Sequence, residues 1–511
     1  MVGVPGRSKS CGTCRIRKKG GCDEKRPACG QCIKLRLKCD GYERELRFIN
    51  FSTQPRKAGR KNPTSAQIAL PVPLARAAYA EKYLGIFWST YLPTDKHFPA
   101  QMMMYVSGGW TNSLPQLYLN STDIQKILLA ICLSTAGRIT NNRWEKEEGL
   151  RYYMESLSEM SAALANRTRG SIVTLCVMSR LYSLYEVPSP LPLAFYWLKP
   201  SVCICSWVDQ VFFGQDDEDR IAQARNWRNH INGELAIVTS QPPETYISGY
   251  LHQFFVDGRL HLTTSAVQAR KRIILSNPEW KNIPWSEIPK TPKDRLIDIL
   301  VEMPTLLENL DISRACSDPE IQEFQRLDLL QTCWELEKEL INWCMELGIT
   351  DPTYSLDAEQ SPFSLDYLAA CHIMCLYWAI CIILYSSLRI LSCPQVVLPP
   401  QTDPRIYCGR IAKAMPLLLH PLSGAYGVHL ASFPVAIALM YLNAVDGEAI
   451  YEEKRTIFDA FARSGYGKTV ERFNQSMRRQ DARSPRVANM DGPKAVPAQA
   501  KSWFGVEGEE L

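Results

Sequence analysis

The sequence predicts an all-α chain in two parts, a short cysteine-rich head and a long helical body, on three observations. Six of the eighteen cysteines fall between Cys11 and Cys39, while the other twelve are scattered from Cys132 to Cys408. From about Pro71 onward, apolar residues recur at three- and four-residue spacing with no sustained alternation of strand type. Charge divides near the same place: residues 1–62 carry 17 Lys/Arg against 5 Asp/Glu, and the remainder 41 against 48. At 511 residues and 46% apolar content the chain is too long for one ordinary domain, so two or three are expected. The expected divisions are a disordered start at 1–9, a cysteine-rich unit at 10–45, a basic linker at 46–70, a helical domain at 71–475 and a disordered tail at 476–511.

A basic head on a mildly acidic body is the electrostatic pattern of a polyanion-binding segment joined to a larger module, which admits nucleic acid or an anionic membrane surface as partner. Met1 to Ser10 holds no apolar stretch that could act as a secretory signal. The cysteines are therefore expected as thiols or metal ligands rather than disulfides.

The cluster reads Cys11-x2-Cys14-x7-Cys22-x6-Cys29-x2-Cys32-x6-Cys39. Two CGxC knuckles, Cys11-Gly12-Thr13-Cys14 and Cys29-Gly30-Gln31-Cys32, lie 18 residues apart, each followed by a basic run and one further cysteine. A C-x2-C knuckle sets two thiolates on one side of a tight turn, suited to adjacent corners of a zinc tetrahedron. The first histidine is His97, outside the cluster, so two tetrahedral ions would have to share two of the six sulfurs. One zinc on four cysteines with two left spare stays open at this point, as does a redox dithiol, although nothing nearby reads as the βαβ unit a dithiol would need. A segment so poor in large apolar side chains needs the metal in order to fold.

Cys11 to Cys39 resembles the fungal Zn(2)-Cys(6) binuclear cluster family of transcription regulators. The six cysteines, the basic run Arg15-Ile16-Arg17-Lys18-Lys19 and Pro27 two residues before the fourth cysteine carry the resemblance. It implies two Zn²⁺ ions bridged by Cys11 and Cys29, with Cys14 and Cys22 completing one site and Cys32 and Cys39 the other. It also implies a nuclear, double-stranded-DNA-binding regulator of RNA polymerase II genes, whose short helix beginning at the second cysteine reads a CGG-type triplet in the major groove. By the same resemblance Lys18 occupies the base-reading position, where an ammonium would meet the O6 and N7 acceptors of guanine. Arg15, Arg17 and Lys19 are then expected on phosphates, as are Lys34, Arg36 and Lys38 unless these are simply solvated. The family usually has six residues between its second and third cysteines; here there are seven, and the extra one is assigned to Gly20-Gly21.

After Asp40-Gly41-Tyr42 the chain is polar to about Ala69 and includes Pro55-Arg56-Lys57-Ala58-Gly59-Arg60-Lys61, read either as a phosphate-contacting arm or import signal or as a plain solvated linker. No leucine heptad follows, so a homodimer would have to form through the helical domain, and binding as a monomer stays open. That domain is similar in length, position and helical character to the regulatory domains of fungal regulators, which implies coregulator contacts or a small-molecule inducer.

Within it, predicted helices include Ile124–Ile139 behind the cap residues Ser121-Thr122-Asp123, Leu150–Leu164, Ile172–Tyr185, and Ile321–Leu347 with Leu327, Leu330, Trp334, Leu340, Ile341 and Cys344 mostly on one apolar face. Another is expected to start at Ser432-Phe433-Pro434, and loops at Val187–Pro192 and Leu398–Pro404. Tyr367 to Leu388 carries no Asp, Glu, Lys or Arg and is long enough to cross a bilayer. Its His372, three cysteines and two serines favour a buried core helix and no membrane. His372, Tyr377 and Trp378 are accordingly expected as core residues.

An enzyme is not expected. The chain lacks H-E-x-x-H, G-x-S-x-G and G-x-G-x-x-G, and Gly467-Lys468-Thr469 imitates the end of a phosphate loop only with Ala462 where glycine is required. The alternative from another class is a zinc-cluster interaction protein or corepressor that does not itself read DNA.

Overall fold

A computed structural model of the chain describes residues 10–17, 22–41, 72–92, 99–165, 172–185, 220–348, 363–393, 395–447 and 449–464. The chain divides into two units, residues 1–69 and 70–511. Among the described residues every regular element is helical, as the patterning predicts.

In the smaller unit α1 spans Gly12–Ile16 and α2 Gly30–Lys34. The larger unit opens with α3 (Val72–Tyr91), α4 (Ala100–Met103), α5 (Trp110–Asn120), α6 (Thr122–Ile139), α7 (Arg143–Ala165) and α8 (Ile172–Tyr185). Next come α9 (Arg220–Thr239), α10 (Gly249–Ala269), α11 (Pro278–Asn282), α12 (Pro292–Leu300) and α13 (Met303–Ala315). The last group is α14 (Pro319–Leu347), α15 (Leu365–Leu391), α16 (Pro404–Leu418), α17 (Gly424–Asp446) and α18 (Glu452–Arg463).

Local chemistry sets many of these starts. Ser121 accepts from the Ile124 amide and opens α6 as predicted. Thr291 and Asp294 form a reciprocal capping box on α12, and Asp318 accepts from the Glu320 and Ile321 amides at the start of α14, each with proline in the first turn. At the other end of α17 the buried ammonium of Lys454 donates to the carbonyls of Gly447 and Ala449, at 2.9 and 3.0 Å, closing the exit from that helix.

The core is organised around α15, which packs on α14, α16 and α17. Its charged residues stand at its ends, Asp366 in the first turn and Arg389 in the last, as the helix dipole favours. Between them Ser386 and Ser387 return their hydroxyls to the carbonyls of Ile382 and Ile383, so their burial leaves no unmet donor. Helices Leu365–Leu391 and Pro421–Asp446 are both long and apolar enough to cross a membrane, yet 89% and 78% of their most apolar windows are buried within this unit. Burial of His372, Tyr377 and Trp378 agrees with their expected core role.

Four expectations need correction. The last apolar helix begins at Gly424, ten residues before Pro434, which therefore sits inside α17. Pro434 interrupts the hydrogen-bond ladder of α17 at the Leu430 carbonyl, whose i+4 amide donor it lacks. Leu150–Leu164 is only the later part of α7, whose polar first turns are held by Glu145 accepting from Tyr83 and Thr140. On α14 the buried face is Leu329, Cys333, Leu336, Glu337, Leu340 and Trp343, while Leu327 and Ile341 are exposed. Leu398–Pro404 contains a turn of 3₁₀ helix at Pro400–Thr402, and Pro404 already begins α16. Val187–Pro192 and Gly467-Lys468-Thr469 lie outside the described residues.

Candidate metal centre and nucleic-acid interface

The two CGxC knuckles fold alike because each first cysteine opens a one-turn helix. Cys29 is the N-cap of α2 and its Sγ accepts from the Cys32 amide at 3.4 Å. Cys11 Sγ accepts from the Cys14 amide at the same distance. Each helix starts at the glycine after that cysteine, so α1 begins two residues ahead of Cys14 rather than at it.

The six thiols form two overlapping groups. Cys11, Cys14, Cys22 and Cys29 have all their Sγ atoms within 4.8 Å of one another, and so do Cys11, Cys29, Cys32 and Cys39. Cys11 and Cys29 belong to both groups, are fully buried, and hold their sulfurs 3.6 Å apart. Cys14 lies 3.7 Å from Cys29 and Cys32 3.8 Å from Cys11. Six sulfurs arranged as two quartets with two members in common match the donor set two tetrahedral zinc ions require.

The thiols differ in acidity by position. An amide N–H from Cys11 reaches Cys22 Sγ at 3.5 Å and lowers its pKa to about 7; the amide of Cys29 likewise lowers Cys39. Burial pushes Cys32 up to about 12 and raises Cys11, and contact with the Cys11 thiol raises Cys14. Cys22 and Cys39, the last cysteine of each half, are thus more acidic than Cys11, Cys14 and Cys32.

Two aspartates reach across the cluster. Asp23, which follows Cys22, accepts from the Gly30 amide at 2.8 Å. Asp40, which follows Cys39, accepts from the Thr13 hydroxyl at 2.9 Å and donates its own amide to it at 3.0 Å. The Gly12 amide donates to the Gly41 carbonyl at 2.9 Å, a geometry that uses the positive φ of +69° available to glycine at 41. None of Thr13, Asp23 or Asp40 was singled out from sequence, although Cys22-Asp23 and Cys39-Asp40 repeat the same dipeptide after each basic run.

Of the predicted DNA-contacting residues, Arg15 lies within α1 and Arg17 is exposed in the turn that follows. Lys34, Arg36 and Lys38 are exposed in the second half. Lys18, Lys19, Gly20-Gly21 and the basic stretch around Lys57 lie outside the described residues.

The family model for the fungal Zn(2)-Cys(6) binuclear cluster domain matches residues 9–47. An uncharacterized transcriptional regulatory protein of Schizosaccharomyces pombe is 30% identical over 128 residues, which cover 24% of this chain. The match spans about a fifth of that relative's length, 22%. No solved structure matches the chain. With the paired thiol quartets, the family match identifies residues 9–47 as a fungal-type Zn(2)-Cys(6) binuclear cluster domain that binds two zinc ions.

Proposed function

We propose that the chain is a nuclear, sequence-specific regulator of RNA polymerase II transcription, and not an enzyme, that recognises CGG-like triplets through its zinc cluster. The observation that carries this reading is the pair of thiol quartets sharing Cys11 and Cys29 directly beside a helix whose sequence runs into Arg15-Ile16-Arg17-Lys18-Lys19. In this reading Cys11 and Cys29 bridge, Cys14 and Cys22 complete one site, and Cys32 and Cys39 complete the other. Bound zinc supplies the cross-link that folds a segment with too little apolar surface for a core of its own.

Lys18 donates to guanine O6 and N7, while Arg15, Arg17 and Lys19 hold phosphates and set the register of α1 on the duplex. The helical unit is the regulatory part, through which the chain forms a homodimer and meets coregulators or a small-molecule inducer. The burial of both long apolar helices supports a protein that works without a membrane.

A second reading is favoured by one observation. Ile16, Ile33, Leu35 and Leu37 are exposed around the cluster, at 79, 65, 49 and 42%. Such a surface suits a zinc-cluster interaction protein or corepressor that binds another regulator rather than DNA.

Selection of bound sequences from a random duplex pool by the zinc-loaded chain, repeated after chelation, separates the two. Zinc-dependent enrichment of CGG-like triplets is expected. Absence of enrichment with two zinc ions bound would overturn DNA readout in favour of the interaction protein.

A further inference from the structure

Asp23 and Asp40 occupy equivalent places in the two halves of the cluster, yet each bonds to the other half. Asp23 leaves the first half beside Cys22 and closes the amino end of α2 through the Gly30 amide at 2.8 Å. Asp40 leaves the second half beside Cys39 and grips Thr13, inside the first knuckle, through paired bonds of 2.9 and 3.0 Å. The single Thr13 hydroxyl proton is shared between the Asp40 carboxylate and the Lys38 carbonyl, 2.9 Å from each, so the hydroxyl holds the chain on both sides of Cys39 against α1. Gly30 fits the same arrangement: a Cβ there would lie 2.6 Å from Asp23 Oδ2, so any side chain at 30 would displace the carboxylate.

We propose that Asp23 and Asp40 are crossed positioning residues that hold each knuckle in place from the opposite half and so make retention of the two zinc ions a single event. Neither carboxylate is a ligand; each acts through the backbone or hydroxyl of the knuckle it clasps. The sulfurs whose placement they govern include Cys29, which precedes Gly30, and Cys11, which sits two residues before Thr13. These are the two thiols common to both quartets, so loosening either knuckle disturbs both sites. Hydrogen-bonded groups behind the ligands commonly govern metal affinity by about 10- to 100-fold. The inference rests on the ligation by six cysteines given above.

The test is competition for zinc between the full chain and a graded chelator, reporting equivalents released, with circular dichroism of the helical unit confirming that the rest stays folded. The unaltered chain should hold two zinc ions and release them in one step. Asp23→Ala and Asp40→Ala should each release both ions together at about tenfold lower chelator. Asp23→Asn and Asp40→Asn retain an acceptor oxygen and should restore the original curve, which also separates a positioning defect from a failure of the unit to fold. Thr13→Val also frees the Lys38 carbonyl and the Asp40 amide, so it should release both ions at chelator no higher than Asp40→Ala does, and adding Asp40→Ala to it should lose nothing further.

Alanine curves that superimpose on the original would overturn the proposal. So would asparagine variants as weak as alanine, which would make charge rather than the hydrogen bond responsible, or release of one ion with the other retained. Fewer than two zinc ions on the unaltered chain would instead sink the six-cysteine ligation itself.

Discussion

Asp257 of α10 and Lys293 of α12 form an ion pair 3.1 Å apart with both side chains buried. The second carboxylate oxygen accepts from the Trp110 amide and from Gln253, each at 2.8 Å, and the ammonium also donates to the Val106 carbonyl at 3.2 Å. The pair therefore pins the start of α5 to two later helices. Removing one partner leaves a buried charge unmatched, so Lys293→Met should destabilise the helical unit by about 3 to 5 kcal/mol. Denaturant unfolding of the full chain measures this, and a loss well below that range would mean Asp257 is compensated by its remaining donors.

Glu337 accepts from the Tyr385 hydroxyl at 3.2 Å, and burial raises its pKa above the usual carboxylate value. The folded chain then holds a proton that the unfolded chain releases, so stability falls as pH rises from the unfolded value toward the folded one. Glu337→Gln keeps an acceptor and removes the charge. Its melting temperature should exceed that of the parent at neutral pH, with the gap closing toward pH 4.

His372 and His429 titrate with the opposite sign. Desolvation lowers them to about 3 and about 4, and lowers His261 as well. The unfolded chain takes up these protons near the ordinary histidine value of 6.5 and the folded chain does not. Their contribution is complete above pH 6.5 and is lost as pH falls toward 4. Melting temperature should drop across that window, and His372→Leu should drop less steeply.

Zinc removal should act on one unit only. With the domain binding two zinc ions and the chain dividing at residues 69 and 70, chelation should abolish duplex binding while leaving the thermal transition of the helical unit in place. A large shift in that transition would reveal energetic coupling between the units.

Base and phosphate contacts should separate in binding assays. Lys18→Ala should cost about 1 to 3 kcal/mol on a CGG-like site and relax selectivity for it, whereas Lys57→Ala should weaken all sequences alike. Equal loss on cognate and scrambled duplexes for Lys18→Ala would remove it from base readout.

The cluster was legible because ligand chemistry fixes residue type and spacing together: six cysteines in two repeated knuckles admit few other readings. The carboxylates behind them were not, because an aspartate that bonds to a distant backbone amide has no spacing rule of its own. Helices opened by side-chain caps, such as α6 behind Ser121, were equally readable. On α14 the periodicity identified the helix and most of its inner side, since Leu340 is buried and Leu330, Trp334 and Cys344 pack against the core. Glu337 and Cys333 face the core while Leu327 and Ile341 do not, since neighbouring helices, not hydrophobicity alone, choose the buried side. Pro434 misled because a proline suited to a first turn can also stand inside a longer helix, here Gly424–Asp446, whose residues on either side of it are buried.

The burial of α15 also imposes an order on how this chain is made. Only α14 among its three main packing partners precedes it; α16 and α17 are synthesised afterwards, and α17 ends 55 residues beyond Leu391. At about 5 to 20 residues per second the ribosome takes roughly 3 to 11 s to supply them. Throughout that interval the nascent polypeptide displays a 27-residue segment apolar enough for a bilayer, so the newborn chain has to be shielded from aggregation and from the membrane-targeting machinery until its later helices arrive.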